Sequence, residues 1–255
     1  MPRSETLRVV EYHAYANKPF LRSNLVGSIA NPVLFLAAMG FGLGSLIEGD
    51  VAGVDYLTFV GSGLLAATAM QVAANESTFP VMAGIKWIRF FHAIVASPIS
   101  VEALVAGKLA WTALRLAVGG AIYLAVLAAF GAVESPATAV LAIPAATLCG
   151  LAFAAPIAAF SSTQENDQWF TAGFRIVIMP LFLFSGTFFP VEQLPAALEA
   201  IARFTPLWHG VELTRGAILG DLDPGAAAVH VAYLASLVVI GWAVARRTFR
   251  RRMVG

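Results

Sequence analysis

Long apolar runs, separated by short polar stretches, are the most regular feature of this chain. Each run is near or above the ~20 residues that a helix needs to cross a ~30 Å hydrocarbon core. Apolar and polar residues do not alternate at period two, so a barrel of short strands is not expected. The pattern predicts an all-α membrane protein with six transmembrane helices, at about residues 25–47, 56–74, 101–130, 138–159, 169–188 and 226–245.

Composition supports the same class. Hydrophobic residues make up 59% of the 255 positions and charged residues only 12%, which is far from the balance of a soluble domain. The single cysteine, Cys149, lies inside the fourth apolar run and rules out an internal disulfide.

The cations predict the orientation. With six spans both termini lie on one side, and 14 of the 16 Lys and Arg residues fall on or near that side, leaving Arg203 and Arg215 opposite. Because positive residues concentrate on the cytoplasmic side, both termini are predicted to be cytoplasmic. Glu48, Asp50, Asp55 and Glu134 then face outward. We divide the chain into a cytoplasmic interfacial helix (1–24), a transmembrane domain (25–246) and a basic tail (247–255).

Residues 5–15 place Leu7, Val10 and Ala14 on one helical stripe, which suits a helix lying flat at the cytoplasmic interface. A frayed, solvated leader is the alternative. Within the first span, Gly40 and Gly44 form a small-xxx-small pair that would allow a neighbouring helix to approach closely.

The stretch after the second span, residues 75–92, is unusually aromatic for a polar connection. Ser77 or Thr78 can cap a short helix and Pro80 is tolerated in its first turn. Such a helix, parallel to the membrane, suits docking into a cleft of a soluble partner. An interfacial helix that buries its aromatic residues among lipid headgroups is the alternative. The residues of interest are Glu76, Phe79, Lys86, Trp87, Arg89, Phe90 and Phe91.

The stretch 185–221, before the last span, is too polar to cross a bilayer and too apolar for an ordinary loop. Prolines divide it into two amphipathic segments, at about residues 191–204 and 207–219, the second ended by Gly220. A helix of that length reaches roughly 20 Å, short of the hydrocarbon core. We therefore predict a re-entrant pair of helices on the outer side, with Gly186, Pro190, Pro206, His209, Glu212 and Arg215 as its notable residues.

Several of these motifs together resemble the permeases of type-2 ABC exporters, in particular the nodulation-factor and daunorubicin types. The resemblance rests on the layout of six spans, the amphipathic start, and the motif Ala-Ser-Pro-Ile-Ser at residues 96–100 before Gly107-Lys108. It rests above all on Phe-Ser-Gly-Thr-Phe-Phe-Pro at 184–190 and Pro-Leu-Trp-His-Gly-Val-Glu-Leu-Thr-Arg at 206–215. It covers nearly the whole chain.

The resemblance implies a permease of the bacterial plasma membrane that dimerises and binds two copies of a separate ATPase through the helix in 75–92. It implies outward transport of an amphiphile such as a lipid, glycolipid, oligosaccharide or hydrophobic drug. No cofactor is expected on this chain; ATP and Mg²⁺ belong to the partner, and no nucleic-acid partner is expected. By analogy, candidate residues for the cargo path are Asn31, Thr68, Gln71, Phe174 and Phe182.

Motifs for other functions are incomplete. The nearest approach to a phosphate-binding loop, at Gly107-Lys108, has Glu102 in place of the first glycine and Leu109 after the lysine, so no nucleotide site is predicted. His209 and Glu212 are only two metal ligands, and no metal site is predicted. Two alternatives stay open: an intramembrane hydrolase using Ser62 or Ser185, and an ion-coupled secondary carrier, although the spans carry no chain of buried carboxylates.

Overall fold

The computed structural model describes residues 4–47 and 49–253; the predicted outward position of Glu48 therefore lies outside the described residues. The regular elements of these ranges are helical, apart from one isolated bridge between Val51 and Val54. In chain order the α-helices are α1 Glu5–Asn17, α2 Leu21–Ala37, α3 Tyr56–Ser77, α4 Phe79–Met82, α5 Phe90–Val95, α6 Val101–Ala129, α7 Pro136–Ala139, α8 Ala142–Ser161, α9 Gln168–Gly173, α10 Met179–Phe184, α11 Ala196–Arg203, α12 Pro206–Leu219 and α13 Pro224–Met253.

Four continuous helical stretches within the described residues are long and apolar enough to cross a membrane. They are Tyr56–Trp87, Val101–Ala129, Pro136–Ser161 and Pro224–Met253. They correspond to the second, third, fourth and sixth predicted spans, and the all-helical membrane class is confirmed.

The first and fifth predicted spans are less regular. The helical segments Glu5–Phe20 and Leu25–Gly40 qualify as one span only when taken together across a bend of 71°. The fifth, Gln168–Phe184, is a shorter apolar helix with a π-helical turn at Phe174–Ile178. The structure thus supports four spans, or five with the bent pair, and the count of six stays a prediction.

Helix α8 occupies the centre of the molecule and packs against α3, α6, α12 and α13. Its sequence is rich in alanine and includes Gly150 and buried Cys149. Gly210 of α12 lies directly against Cys149, and Gly241 of α13 lies against Pro156, so a Cβ atom at either glycine would collide. Small residues allow this close approach of helix backbones, which is how helices associate where lipid competes for apolar contacts.

The molecule has two distinct ends. At the first, which we call the terminal end, α1 contacts the segment 79–95 through Tyr12 and Phe90. The last turns of α13 contact the same segment through Phe249 and Phe91, and the connection 162–167 through Arg252 and Glu165. At the opposite end lie 185–205 and α12. Both ends of the described chain therefore lie on one side, as six spans would require.

The segment before the last span folds close to the predicted boundaries. A 3₁₀ turn at Val191–Gln193 and α11 replace the first predicted helix, and α12 matches the second. Thr205 caps α12 by accepting a hydrogen bond from the Trp208 N–H at 3.3 Å, and Pro206 follows in the first turn. Gly220 ends the helix in a left-handed conformation, φ 84°, that favours glycine.

Candidate functional site

The aromatic stretch at the terminal end forms a bent unit, which we call the coupling segment (residues 79–95). Helix α4 and a π-helical turn at Ala83–Trp87 continue the long helix that begins at Tyr56. The chain reverses at Arg89, whose φ of 58° is left-handed, and α5 follows. The sequence predicted one helix parallel to the membrane, whereas the structure has an extension of α3 followed by a turn and a second short helix.

Four consecutive residues, 86–89, are exposed at the reversal, and we call them the tip. Trp87 is 55% exposed and Ile88 71%. Behind them, Phe91 is fully buried against Phe249, and Phe90 stacks on Tyr12 of α1 at 5.5 Å between ring centroids. Gly84 permits this packing, because a Cβ there would lie within 2.8 Å of both phenylalanine rings. The tip is therefore presented on a base of packed aromatic rings.

Of the seven residues predicted to contact a partner, four are exposed and three are not. Phe79, Lys86, Trp87 and Arg89 are exposed, as a contact surface requires. Phe90 and Phe91 pack inward instead, so in this structure they support the tip rather than form its outer surface. The sequence showed the aromatic cluster but not which rings the reversal at Arg89 would turn inward.

Glu76 lies away from the tip, near the end of α3. Its carboxylate accepts hydrogen bonds from two cations of α6: Lys108 Nζ at 3.1 Å and Arg115 Nη1. The Lys108 side chain is only 6% exposed and that of Glu76 17%. Charges this deeply placed need a partner, and here the three groups link α3 to α6. Glu76 therefore connects α3 to α6 within the chain, and its predicted role in contacting an ATPase stays a prediction.

A second ionic cluster links the coupling segment to the end of α13. The Glu165 side chain, in the connection 162–167, pairs with Lys86 at 3.2 Å and with Arg252. The Lys86 ammonium also donates to the Glu165 carbonyl oxygen. Hydrogen bonds from Arg252 and Lys86 hold the pKa of the Glu165 carboxyl below its ordinary value. The Lys86 ammonium is therefore already bound to Glu165. Trp87, Ile88 and Arg89 form the more open part of the tip.

At the opposite end Arg215 holds α12, the second helix of the predicted re-entrant pair, against α3 and the turn at Gly186. Its Nη2 donates to the carbonyl oxygens of Gly186 at 2.7 Å and Phe59 at 3.3 Å, and its guanidinium lies over the Phe59 ring at 3.8 Å. Glu212 is 3.7 Å away on the same helix. Gly186, with φ of 81°, makes the turn whose carbonyl Arg215 binds. One cation therefore connects α12, α3 and the turn after α10.

Two histidines, one on α12 and one on α13, contact each other near Arg215. The Nδ1 atoms of His209 and His230 are 2.6 Å apart, and Tyr233 stacks on the His209 ring at 4.0 Å between centroids. One ring must donate and the other accept, so the pair ties α12 to α13. Over residues 4–47 and 49–253, no group of three or more His, Cys, Asp or Glu side chains is arranged to hold a metal ion.

The five residues suggested for a cargo path do not share one lining. Asn31 and Thr68 line a cavity of about 260 Å³ between α2, α3 and α6. Phe174 lines a separate apolar cavity of about 390 Å³ between α3, α8 and the segment 169–178. Phe182 packs edge-on against Phe188 at 5.1 Å, toward the opposite end. Gln71 lies on α3 and is half-buried, and its backbone carbonyl oxygen accepts a hydrogen bond from the side-chain amide of Asn75.

The serines considered for hydrolysis are engaged in local hydrogen bonds. The Ser62 hydroxyl is buried and donates to the Phe59 carbonyl oxygen at 2.8 Å. The Ser185 hydroxyl is 3.1 Å from that of Thr205. Neither hydroxyl contacts a histidine among the described residues.

Sequence reasoning missed three of the charged partners: Lys108, Arg115 and Glu165. Lys108 and Arg115 lie seven residues apart on α6, hence on one face, and this spacing was the one available signal that they share a partner. Nothing local in the sequence indicates that Glu165 bridges Lys86 and Arg252, since the three residues come together only through packing of distant segments.

Comparison with known proteins identifies relatives across most of the chain. Residues 17–219 match the family model described as ABC-2 type transporter. The chain is 30% identical over 234 residues to nodulation protein J of Rhizobium meliloti (strain 1021), covering 91% of this chain and 87% of that protein. The same protein of Rhizobium leguminosarum bv. trifolii is 32% identical with the same coverage. That of Bradyrhizobium diazoefficiens is 31% identical over 232 residues, again 91% and 87% of the two chains.

Proposed function

We propose, since this chain belongs to the ABC-2 type transporter family, that it is the permease subunit of an ATP-driven exporter that moves an amphiphile out of the cytoplasm or the inner leaflet. In this proposal the chain dimerises in the bacterial plasma membrane with both termini in the cytoplasm. Two copies of a separate ATPase supply the work. Amphiphiles of the lipid, glycolipid, oligosaccharide or hydrophobic drug class fit the apolar spans.

The observation that carries the proposal is the exposed tip of the coupling segment. Trp87 and Ile88 project from the terminal end, where most of the basic residues lie, although apolar side chains of this size are costly to expose to water. Because α4 follows α3 directly after a bend at Thr78, a displacement of the tip would be passed to the helix that begins at Tyr56. A soluble ATPase that covers the tip would both bury its apolar surface and drive that helix.

The apolar face of the fifth predicted span supports dimerisation. Ile176, Val177 and Met179 are each at least half exposed on this short helix. A helix slightly shorter than the hydrocarbon core is accommodated by local thinning of the bilayer, by snorkelling of flanking residues or by oligomerisation. Packing against a second copy of the chain would cover this exposed apolar face.

Co-purification from mild detergent tests the proposal. The tagged chain should retain a P-loop ATPase, identified by mass spectrometry, and the variant Trp87→Ala/Arg89→Glu should lose it. Phe204→Ala is the matched control, because Phe204 is 77% exposed on the opposite end of the molecule; it should retain the ATPase.

Transport in membrane vesicles tests the energy source. Export of a fluorescent amphiphile should require ATP and persist after ion gradients are collapsed. Transport that follows an ion gradient without ATP would replace this proposal with a secondary carrier. Hydrolysis lost on Ser62→Ala or Ser185→Ala, with assembly intact, would replace it with a hydrolase.

A further inference from the structure

The cavity between α2, α3 and α6 has one polar wall. On α2 the wall is formed by Ser23, Gly27 and Asn31, which recur every four residues and so lie along one stripe. Thr68 of α3 and Arg115 of α6 complete it. The apolar cavity beside α8 and the segment 169–178 has no charged residue in its lining.

Two glycines keep this space open. Around the positions where Cβ atoms would stand on Gly27 and Gly119, no atom lies within 4 Å, and at Gly120 the nearest contacts are at 3.8 Å. Glycine elsewhere in α3 and α6 serves close packing, as at Gly61 and Gly107, where a Cβ would collide. At Gly27 and Gly119 the missing side chains instead leave a volume of about 260 Å³ that this chain does not fill.

The charge at the cavity is unbalanced. Arg115 and Lys108 share the single carboxylate of Glu76, so the group of three carries one excess positive charge. Among the described side chains, the Arg115 guanidinium pairs only with Glu76, through Nη1, while it has five N–H donors in all. An unbalanced cation in a helical membrane protein is costly, and an anion in the cavity would offset that cost. A guanidinium is suited to phosphate because its planar array of donors matches two phosphate oxygens.

We propose that this cavity binds the anionic headgroup of a membrane amphiphile, with a phosphate ester held by Arg115 and hydroxyl groups held by Asn31 and Thr68. Ser23 lies at the start of α2, so the polar wall begins at the terminal end, where a headgroup would enter from that leaflet. The acyl chains would lie along the exposed apolar residues of α2, Val26 and Ile29. Basic pockets between helices on the cytoplasmic side are a known way of binding anionic lipids. The site does not depend on ATP-driven export and goes beyond it.

Lipid binding to the purified full-length chain tests the site directly. The delipidated protein is titrated in detergent with dioleoylphosphatidylglycerol, dioleoylphosphatidylcholine or inorganic phosphate, and binding is read by native mass spectrometry and by the shift in melting temperature. We expect phosphatidylglycerol to bind at one site per chain at least tenfold more tightly than phosphatidylcholine. Equal affinity for the two lipids would overturn the proposal, and binding of inorganic phosphate as tight as that of phosphatidylglycerol would assign the cavity to a free anion instead.

Two pairs of variants locate the site. Arg115→Gln should reduce the preference for phosphatidylglycerol at least tenfold, while Lys108 continues to neutralise Glu76; Arg115→Lys should restore part of it. Gly119→Leu should fill the cavity and abolish binding. Gly173→Leu is its matched control, because a Cβ there also meets nothing within 4 Å but lies at the apolar cavity, and it should bind normally.

Each result has a defined meaning. Binding unchanged in both Gly119→Leu and Arg115→Gln would overturn the assignment of the cavity. A loss of lipid binding that appears equally in Gly173→Leu would show a general effect on folding and would also count against it. Because no ATPase is present in these measurements, their failure leaves the export proposal standing, and the failure of ATPase co-purification leaves the lipid site standing.

Discussion

The two ends of the molecule differ in how firmly contacts within the chain hold their segments. At the opposite end, Arg215 binds two backbone carbonyl groups that belong to different segments and lies on the Phe59 ring, so α12 is fixed from several directions. At the terminal end, the tip leaves Trp87 and Ile88 without cover, and only the residues behind it are packed. The comparison shows that contacts within one chain fix α12, whereas the apolar side chains of the tip, like Ile201 and Phe204 at the opposite end, are left uncovered by this chain.

The base of the coupling segment should be the most sensitive place at the terminal end. Phe91→Ala should lower the free energy of unfolding by about 3–5 kcal/mol, because a fully buried ring that packs against Phe249 and Phe90 is lost and a cavity remains. Unfolding by denaturant in detergent, followed by tryptophan fluorescence, measures the change. A loss below about 1 kcal/mol would show that the base is not packed as described.

The anchor at the opposite end should come next. Arg215→Met keeps much of the apolar length of the side chain but removes the donors to Gly186 and Phe59, and should cost about 2–3 kcal/mol. Limited proteolysis within residues 190–205 should then accelerate. Arg203→Met is the control, because Arg203 is more exposed and pairs with Glu192 and Glu199 at the surface, where ion pairs contribute little. Equal effects of the two substitutions would show that the hydrogen bonds of Arg215 fix α12 no more firmly than a surface ion pair does.

The tip should be nearly neutral for folding. Trp87→Ala should change the free energy of unfolding by no more than about 0.5 kcal/mol, since an exposed side chain has little packing to lose. The same substitution should abolish ATP-dependent export. A stability loss comparable with that of Phe91→Ala would mean that Trp87 is part of the base and would contradict its role as a contact for a partner.

How much of this could be predicted from sequence depended on whether the signal was local. Pro206 and Gly220 act within one turn of the chain, so the bounds of α12 were predicted almost to the residue. The coupling segment was recognised by its aromatic residues, but its shape depends on the left-handed reversal at Arg89, a conformation that a non-glycine residue rarely adopts. The fifth predicted span reads as a full crossing by hydropathy, although its helix, Gln168–Phe184, is shorter than that.

The ion pairs were beyond sequence reasoning for a different reason. Glu76 reads as part of an exposed polar loop because it follows an apolar run and stands beside Asn75 and Ser77. Its burial results from α6, which brings Lys108 and Arg115 to it from more than 30 positions away. The spacing of Lys108 and Arg115 places both on one face of α6 but does not identify Glu76 as their partner, so the cavity beside Arg115 could be found only once the helices were packed.

The smallest expected effect concerns the link between the tip and α13. Because hydrogen bonds from Arg252 and Lys86 lower the pKa of Glu165, the charged form is favoured in the folded protein, and the link should persist as the pH falls through the ordinary glutamate range of about 4.3. It should be lost only as the pH falls further, through the lowered pKa. Spin labels at Ile88 and at Arg247 would report this as a distance that widens in acid. In Glu165→Gln the distance should be wider at neutral pH and independent of pH. A transition at or above the ordinary glutamate pKa would show that Glu165 gains nothing from its two cations, and the tip would then be held by its aromatic base alone.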